Sequence, residues 1–231
     1  MKAVLDTLLP APCLGCGMAV SGPLRLCPLC AATLSVIAPA CNLCGTAQPA
    51  PGVCAGCAAR PPRWKRRAVW RYGDVPAALM AGYKSRGLHA LAGPLIDAAL
   101  AADPEVRKYA DGCDLVVAIP SPWWRRMQRG YNPAALLADA LAGALALPRT
   151  RLALRKRRAA RQAGLTGGAR RKLGRAFAPG PAISALRGKT ILLVDDVETT
   201  GATLRAAALE LRRAGVKEVR AVTLFRVTSE R

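Results

Sequence analysis

The first sixty residues contain no phenylalanine, tyrosine or tryptophan; all ten aromatics of this 231-residue chain come later. A Gly- and Pro-rich stretch without large rings buries too little apolar surface to fold on its own core, so it needs a staple. Acidic residues are also scarce, 14 Asp and Glu against 35 Lys and Arg, giving a net charge of +21. Such an excess points to anionic partners. The single histidine, His89, stands apart from every motif and is read as a surface or core-edge residue rather than a general base. No apolar run reaches the ~18 uncharged residues of a membrane span. The opening stretch, residues 1–12, carries Lys2 and Asp6 and is too short and wrongly charged for a secretory signal, so a soluble, cytoplasmic protein is expected.

What is present divides unevenly. The chain is 52% hydrophobic, which excludes a disordered polymer, and its core must lean on Ala, Leu and Val. Residues 1–60 hold Lys2, Arg25, Arg60 and Asp6, a charge of +2, so +19 of the +21 falls on residues 61–231. The change in composition coincides with Arg60-Pro61-Pro62-Arg63, whose tandem prolines favour an extended connection. We place the boundary there, giving a small module over 1–60 and a larger domain over 61–231.

The larger part reads as α/β. Residues 68–72 form a strand pattern, and 75–100 read as helical material interrupted at Gly87 and Pro94. Residues 115–119 are a short continuous apolar run ended by Pro120, the pattern of a buried strand. A polar loop follows, then a helix over 133–147 with Leu137, Leu141 and Leu145 on one face. A second such unit closes the chain: strand 191–194, loop 195–201, helix 203–214 and strand 219–227. Strands alternating with helices imply a parallel sheet, which binds ligands beyond the carboxyl ends of its strands. Between the units, residues 140–194 contain 13 Lys or Arg and no acid, and 155–175, with four glycines among the charges, read as a mobile basic loop or lid.

Eight of the nine cysteines form Cys-x-x-Cys pairs: Cys13/Cys16, Cys27/Cys30, Cys41/Cys44 and Cys54/Cys57, with 10, 10 and 9 residues between pairs. Two such knuckles complete a closed tetrahedral S4 shell, so two structural zinc ions are expected. Disulfides would need an oxidising compartment to which nothing points. Sequential pairing avoids chain crossing, although near-equal spacing also admits an interleaved one. Eight thiolates and two divalent ions would turn the module's charge from +2 to −2, making it a poor polyanion surface. Cys113 stands alone and reads as a small buried hydrophobe.

The strongest functional signal is residues 191–203, Ile-Leu-Leu-Val-Asp-Asp-Val-Glu-Thr-Thr-Gly-Ala-Thr. A buried strand brings Asp195 and Asp196 to the sheet edge, and a turn of small and hydroxyl residues runs into a helix N-terminus. Backbone amides there, with the Thr199, Thr200 and Thr203 hydroxyls, can cradle a phosphate, while the two aspartates accept hydrogen bonds from ribose hydroxyls; Gly201 and Ala202 keep the backbone accessible.

This segment resembles the binding motif of type I phosphoribosyltransferases for PRPP, 5-phosphoribosyl 1-diphosphate. Together with the eight cysteines, Tyr83-Lys84-Ser85-Arg86-Gly87, Ala118-Ile119-Pro120-Ser121-Pro122, Arg129-Gly130-Tyr131-Asn132 and Gln162-Ala163-Gly164-Leu165, it occurs in the order seen in the ComF (competence protein F) family. Pro133 and Ser85 depart from the family's usual Gln and aromatic residue. The resemblance implies a type I phosphoribosyltransferase fold behind a double zinc ribbon, PRPP held with Mg2+, and a link to DNA uptake in natural transformation. It implies that Asp195 and Asp196 contact ribose and that 199–203 bind the 5-phosphate. Ser121, Arg125, Arg126 and Arg129 fall where a diphosphate loop would lie, and Gln162, Arg170 and Arg171 where a flexible catalytic loop would close.

A rival reading is a single-stranded-DNA-binding protein that keeps the phosphate pocket without catalysing transfer. Arg155, Lys156, Arg157 and Arg158, within the basic run 149–161, would contact phosphates, and competence or recombination proteins would be its partners. A plain solvated basic face explains the run equally well. Trp123 and Trp124 are expected to pack in the core rather than stack on bases.

Overall fold

The computed structural model describes residues 11–157 and 176–228. Its centre is a five-stranded sheet in the order β3-β9-β8-β4-β5, formed by β3 (Lys65–Arg71), β4 (Leu115–Ala118), β5 (Arg149–Thr150), β8 (Thr190–Glu198) and β9 (Glu218–Arg226). Every neighbouring pair is parallel. Alternate side chains of β8 serve two cores. Leu192 and Val194 point into one with Val116, Val222 and Leu224, whereas Ile191 and Leu193 point into the other with Leu115, Val117 and Val219. A parallel sheet covered on both faces has no polar side, which is why these strands read as continuous apolar runs.

The first core is closed by α3 (Asp74–Ser85), α4 (Ala92–Ala102), α5 (Glu105–Ala110) and α7 (Pro133–Ala144), through Leu79, Leu95, Val106 and Leu137. The second is closed by α8 (Ala202–Arg213), through Leu204 and Leu211, and by the hairpin of β6 (Leu154–Lys156) with β7 (Phe177–Pro179). Between α3 and α4, Gly87 takes φ 70° and a short 3-10 turn spans His89–Leu91. Pro94 does not interrupt the chain as expected. It falls in the first turn of α4, where the missing N–H has no helical acceptor to lose.

Ahead of the sheet lies the cysteine module, with the short pair β1 (Ala11–Pro12) and β2 (Ala19–Val20) and the five-residue helices α1 (Pro28–Ala32) and α2 (Ala55–Ala59). It does not stand off from the rest. β3 is an edge strand, and the module covers its free edge: Arg71 N donates to Ser35 O at 2.8 Å, Ile37 N to Val69 O at 2.8 Å and Arg66 N to Leu43 O at 3.0 Å. Covering removes an otherwise open row of backbone groups. Ile37 is fully buried against Ala68, and Leu14 joins the first core, where a methyl group added to Gly82 of α3 would sit 3.2 Å from it. Among the described residues no helix is long and apolar enough to cross a membrane.

Candidate functional site

The eight paired cysteines gather as two groups, Cys13, Cys16, Cys27 and Cys30, and Cys41, Cys44, Cys54 and Cys57, each with all four sulfurs within 4.8 Å of one another. Pairing is therefore sequential. The two groups repeat one local design: Cys27 N donates to Cys13 Sγ at 3.3 Å, and Cys54 N to Cys41 Sγ at 3.3 Å. Sγ–Sγ separations of 3.7 Å (Cys16–Cys27) and 3.8 Å (Cys44–Cys54) equal the edge of a tetrahedron, about 3.8 Å for Zn–S bonds of about 2.3 Å. The protonation chemistry agrees. Burial works against ionising Cys13 and Cys41, yet the backbone amides around each outweigh it and bring both thiols down to about 6. Cys30, hydrogen-bonded to Cys27 and buried, is pushed up to about 12. Four crowded thiols cannot all ionise without a cation among them, and both groups fit structural zinc.

At the other end of the fold, β8 runs further than its apolar core suggests. The residues expected to open a loop at 195 stay in the strand to Glu198, paired with Thr223, Phe225 and Arg226 of β9. Backbone ladder bonds to a long neighbour override the polar side chains. Asp196 is met by Lys84, whose Nζ lies 2.7 Å from its Oδ1. Asp195, half-buried, accepts a bond from the Asp196 amide at 3.0 Å, and its carboxyl lies beside a second carboxylate. Burial, then the charge of Asp196, push it up to about 8. Thr199 and Thr200 are exposed, and Gly201, at φ 71°, turns the chain into α8. A side chain there would strain the left-handed backbone and place its Cβ 2.8 Å from Glu198 Oε1. Ala202 and Thr203 follow in the first turn of α8, half-buried.

The segment read as a polar diphosphate loop contains a helix, α6 (Trp123–Arg129), ended by Gly130 at φ 80°. Asn132 ties its two ends together, donating to Ile119 O at 2.9 Å and accepting from Ser121 Oγ at 2.7 Å. Arg125 and Arg126 are exposed and Arg129 is half-buried. Ser121, Trp123 and Arg126 line an open cleft of about 530 Å³ beside the ends of β4 and β5, together with Arg149, Arg155 and Lys156; Arg125 and Arg129 do not line it. Trp123 and Trp124, expected in the core, are 52% and 51% exposed, because α6 presents no buried residue to either core. Arg125 stacks on Trp124 at 5.0 Å.

Arg155 and Arg157 lie on or just past β6, each bonded to a carbonyl of the opposite hairpin strand. Lys156, over the ring of Phe177, has its pKa lowered, because burial outweighs the opposing charge of Asp195. Arg158, Gln162, Arg170 and Arg171 lie outside the described residues. Cys113 is buried, and burial pushes its thiol up to about 11. His89 is exposed beside Tyr131, 5.8 Å between rings.

Sequence reasoning assigned no role to Lys84, Asn132, Arg66, Glu198 or Arg226. Lys84, Asn132 and Glu198 sat within quoted motifs. Arg226 had one signal, a charge at a strand position where an apolar side chain is the rule, and Arg66, just ahead of the strand read at 68–72, had none. Glu198 is buried between Arg66, which contacts its Oε1, and Arg226, whose Nε donates to Oε2 at 2.8 Å; Arg226 Nη2 approaches the same oxygen at 2.7 Å without donor alignment.

Comparison with known proteins agrees with both ends. The double zinc ribbon domain family matches residues 4–58, and the phosphoribosyl transferase domain family matches residues 128–231. Competence protein F of Haemophilus influenzae is 33% identical over 115 residues, 49% of this chain and 50% of that protein, so the match spans about half the length of each. A purine phosphoribosyltransferase from Pyrococcus horikoshii superposes with a TM-score of 0.35 and 18% identity, covering 58% of this chain and 80% of that one. Residues 4–58 thus match the double zinc ribbon domain family, residues 128–231 match the phosphoribosyl transferase domain family, and about half of the chain is similar to about half of Competence protein F.

Proposed function

We propose that the larger part of the chain, residues 61–231, binds PRPP with magnesium at 195–203 and transfers or holds its phosphoribosyl group, while residues 1–60 form the zinc ribbon unit. The carrying observation is the succession, within nine residues, of two adjacent carboxylates at the end of the central strand and exposed threonines entering a helix N-terminus through a left-handed glycine. Asp195 and Asp196 accept the ribose hydroxyls, and the amides and hydroxyls of 199–203 take the 5-phosphate. Ser121 and Arg126, in the adjoining cleft, face the charge that develops on a departing diphosphate. The two aspartates also supply the hard oxygen donors that magnesium accepts beside phosphates, where the ion neutralises the leaving group.

The test is thermal. PRPP with magnesium raises the melting temperature, by an amount that at a hundredfold excess over Kd corresponds to about 2.7 kcal/mol. Asp195→Asn combined with Asp196→Asn removes most of the effect. An unchanged melting curve across millimolar PRPP defeats the reading.

A second reading is favoured by α6: Trp123, Trp124 and Met127 are exposed among Arg125, Arg126 and Arg129, a face suited to stacking bases and pairing phosphates of single-stranded DNA. The relationship to Competence protein F supports a role in DNA uptake, with competence or recombination proteins as partners and the cytoplasm as its location. The two readings are compatible.

A further inference from the structure

We propose that Glu198 is a positioning residue through which the second cysteine cluster and the 199–203 loop control one another. Its buried carboxylate is shared by Arg66 and Arg226, and both guanidiniums reach past it into the ribbon. Arg66 Nε donates to Cys44 O at 3.1 Å, and Arg226 Nη1 donates to Gly45 O. With the Arg66 amide bound to Leu43 O at 3.0 Å, three consecutive carbonyls of the Cys41/Cys44 knuckle are held by residues 66 and 226. The fit leaves no slack: a Cβ on Gly45 would lie 2.7 Å from Arg66 O, and one on Gly201 would lie 2.8 Å from Glu198 Oε1. The line of contact therefore runs from a metal-binding knuckle through two arginines and one glutamate to the backbone that turns into α8.

The charges explain why the line transmits. Two guanidiniums against one carboxylate leave the clamp at +1; besides the Trp64 ring, 5.6 Å from Arg66, it meets the carbonyls of the knuckle, beside a cluster that is formally −2 when four thiolates surround a divalent ion. If the knuckle opens, buried Arg226 and half-buried Arg66 lose those acceptors while they still share one carboxylate, a costly arrangement relieved by moving Glu198 or the loop. By linkage, whatever fixes the loop must also steady the knuckle. Among the described residues the apolar side chains packed on the first cluster are Val20, Leu26 and Val75, none of them part of the Glu198 clamp.

The experiment uses the full zinc-loaded chain. Chelator is added, the freed thiols are alkylated and assigned by peptide mass, and amide exchange of 199–203 is followed in parallel. Glu198→Gln should open Cys41, Cys44, Cys54 and Cys57 about fivefold faster or more, leave Cys13, Cys16, Cys27 and Cys30 unchanged, and speed loop exchange. Arg66→Ala, which keeps the Glu198–Arg226 pair, should act in the same direction and serves if Glu198→Gln does not fold. Glu105→Gln, which removes an exposed pair with Lys108, is the control. Wild-type opening of the second cluster in the folded variants, or loop exchange indifferent to them, overturns the proposal. One further arm rests on the PRPP reading: PRPP with magnesium should slow opening of the second cluster alone. If PRPP raises the melting temperature without slowing it, the coupling is overturned and the PRPP reading stands. If PRPP does neither while the variants behave as expected, the PRPP reading falls and the coupling stands.

Discussion

The ammonium of Lys84, in the last turn of α3, lies 2.7 Å from Oδ1 of Asp196 on the central strand, and both side chains are mostly buried. It offsets the charge of Asp196, beside which Asp195 holds its proton up to about 8. Tyr131 holds that turn by donating to Tyr83 O, and Tyr83 donates to Pro133 O at 2.8 Å, so the start of α7 braces the end of α3. Proline at position 133 suits this: it occupies the first position of α7, where no helical N–H is lost, and still offers its carbonyl.

Replacing Lys84 by Met should therefore cost about 1–3 kcal/mol of stability by leaving a charged acceptor unpaired. Chemical denaturation of Lys84→Met, Asp196→Asn and the double variant gives a coupling energy. Additive effects would show that the pair contributes nothing beyond each residue alone.

The purified protein should hold two zinc ions, and chelation should unfold residues 1–60 before the sheet. Apparent binding free energies of ~10–16 kcal/mol per structural zinc exceed anything an aromatic-free segment gains from its own core. Metal analysis finding no zinc, or a metal-free module that remains protected from proteolysis, contradicts this.

The cysteine groups and the strand-to-helix passage at 191–203 were legible because their signals are local: a two-residue gap between cysteines, and an apolar run followed by Asp-Asp and Thr-Thr-Gly. What escaped depends on partners far along the chain. β8 continues to Glu198 because β9 is there to pair with it. The edge of β3 is covered by residues 35–43, and nothing near Lys65 announces that. Trp123 and Trp124 looked like core residues by type, but burial is decided by which face a helix turns inward, and α6 turns none. The short strand β5 and the β6–β7 hairpin rest on pairings that no periodicity of 2 or 3.6 residues reveals in segments this brief.

The pH dependence should follow Asp195. Its folded-state pKa, about 8, lies above the ordinary aspartate value of about 3.9, so the folded protein binds a proton that the unfolded chain has already lost. The sign is that of a group favouring stability below the unfolded value: its contribution falls as pH rises from about 4 and is fully lost above about 8. Asp195→Asn should thus gain stability relative to wild type across that window. Ligand binding runs the other way, because ribose hydroxyls donate to a carboxylate, and PRPP affinity should climb as pH approaches 8 from below. The ligand's own phosphate titration near about 6 is common to both proteins and cancels in the comparison. Parallel profiles for wild type and Asp195→Asn would dismiss the assignment.

Single-stranded DNA separates the two surfaces of the larger domain. If the basic run contacts phosphates, binding should show little sequence preference and weaken by about 0.7 log unit per log unit of salt for each contact. Replacing Arg155, Lys156, Arg157 and Arg158 by Ala should flatten that slope. Trp123→Ala with Trp124→Ala should instead lower affinity at every salt concentration and keep the slope, since stacking, at about 1–3 kcal/mol per base, releases no counterion. The half-exposed rings of α6 make this second arm specific: a buried pair would have unfolded the helix, whereas these side chains support neither core. Asp195→Asn with Asp196→Asn should leave DNA affinity equal or slightly higher, because it removes negative charge near Lys156, while abolishing the thermal response to PRPP. Measured by fluorescence anisotropy across a salt series, the three variants assign phosphate contact, base stacking and sugar binding to different residues. If the four-residue change leaves slope and affinity as they were, the run is a solvated face, and DNA binding must rest on α6 alone.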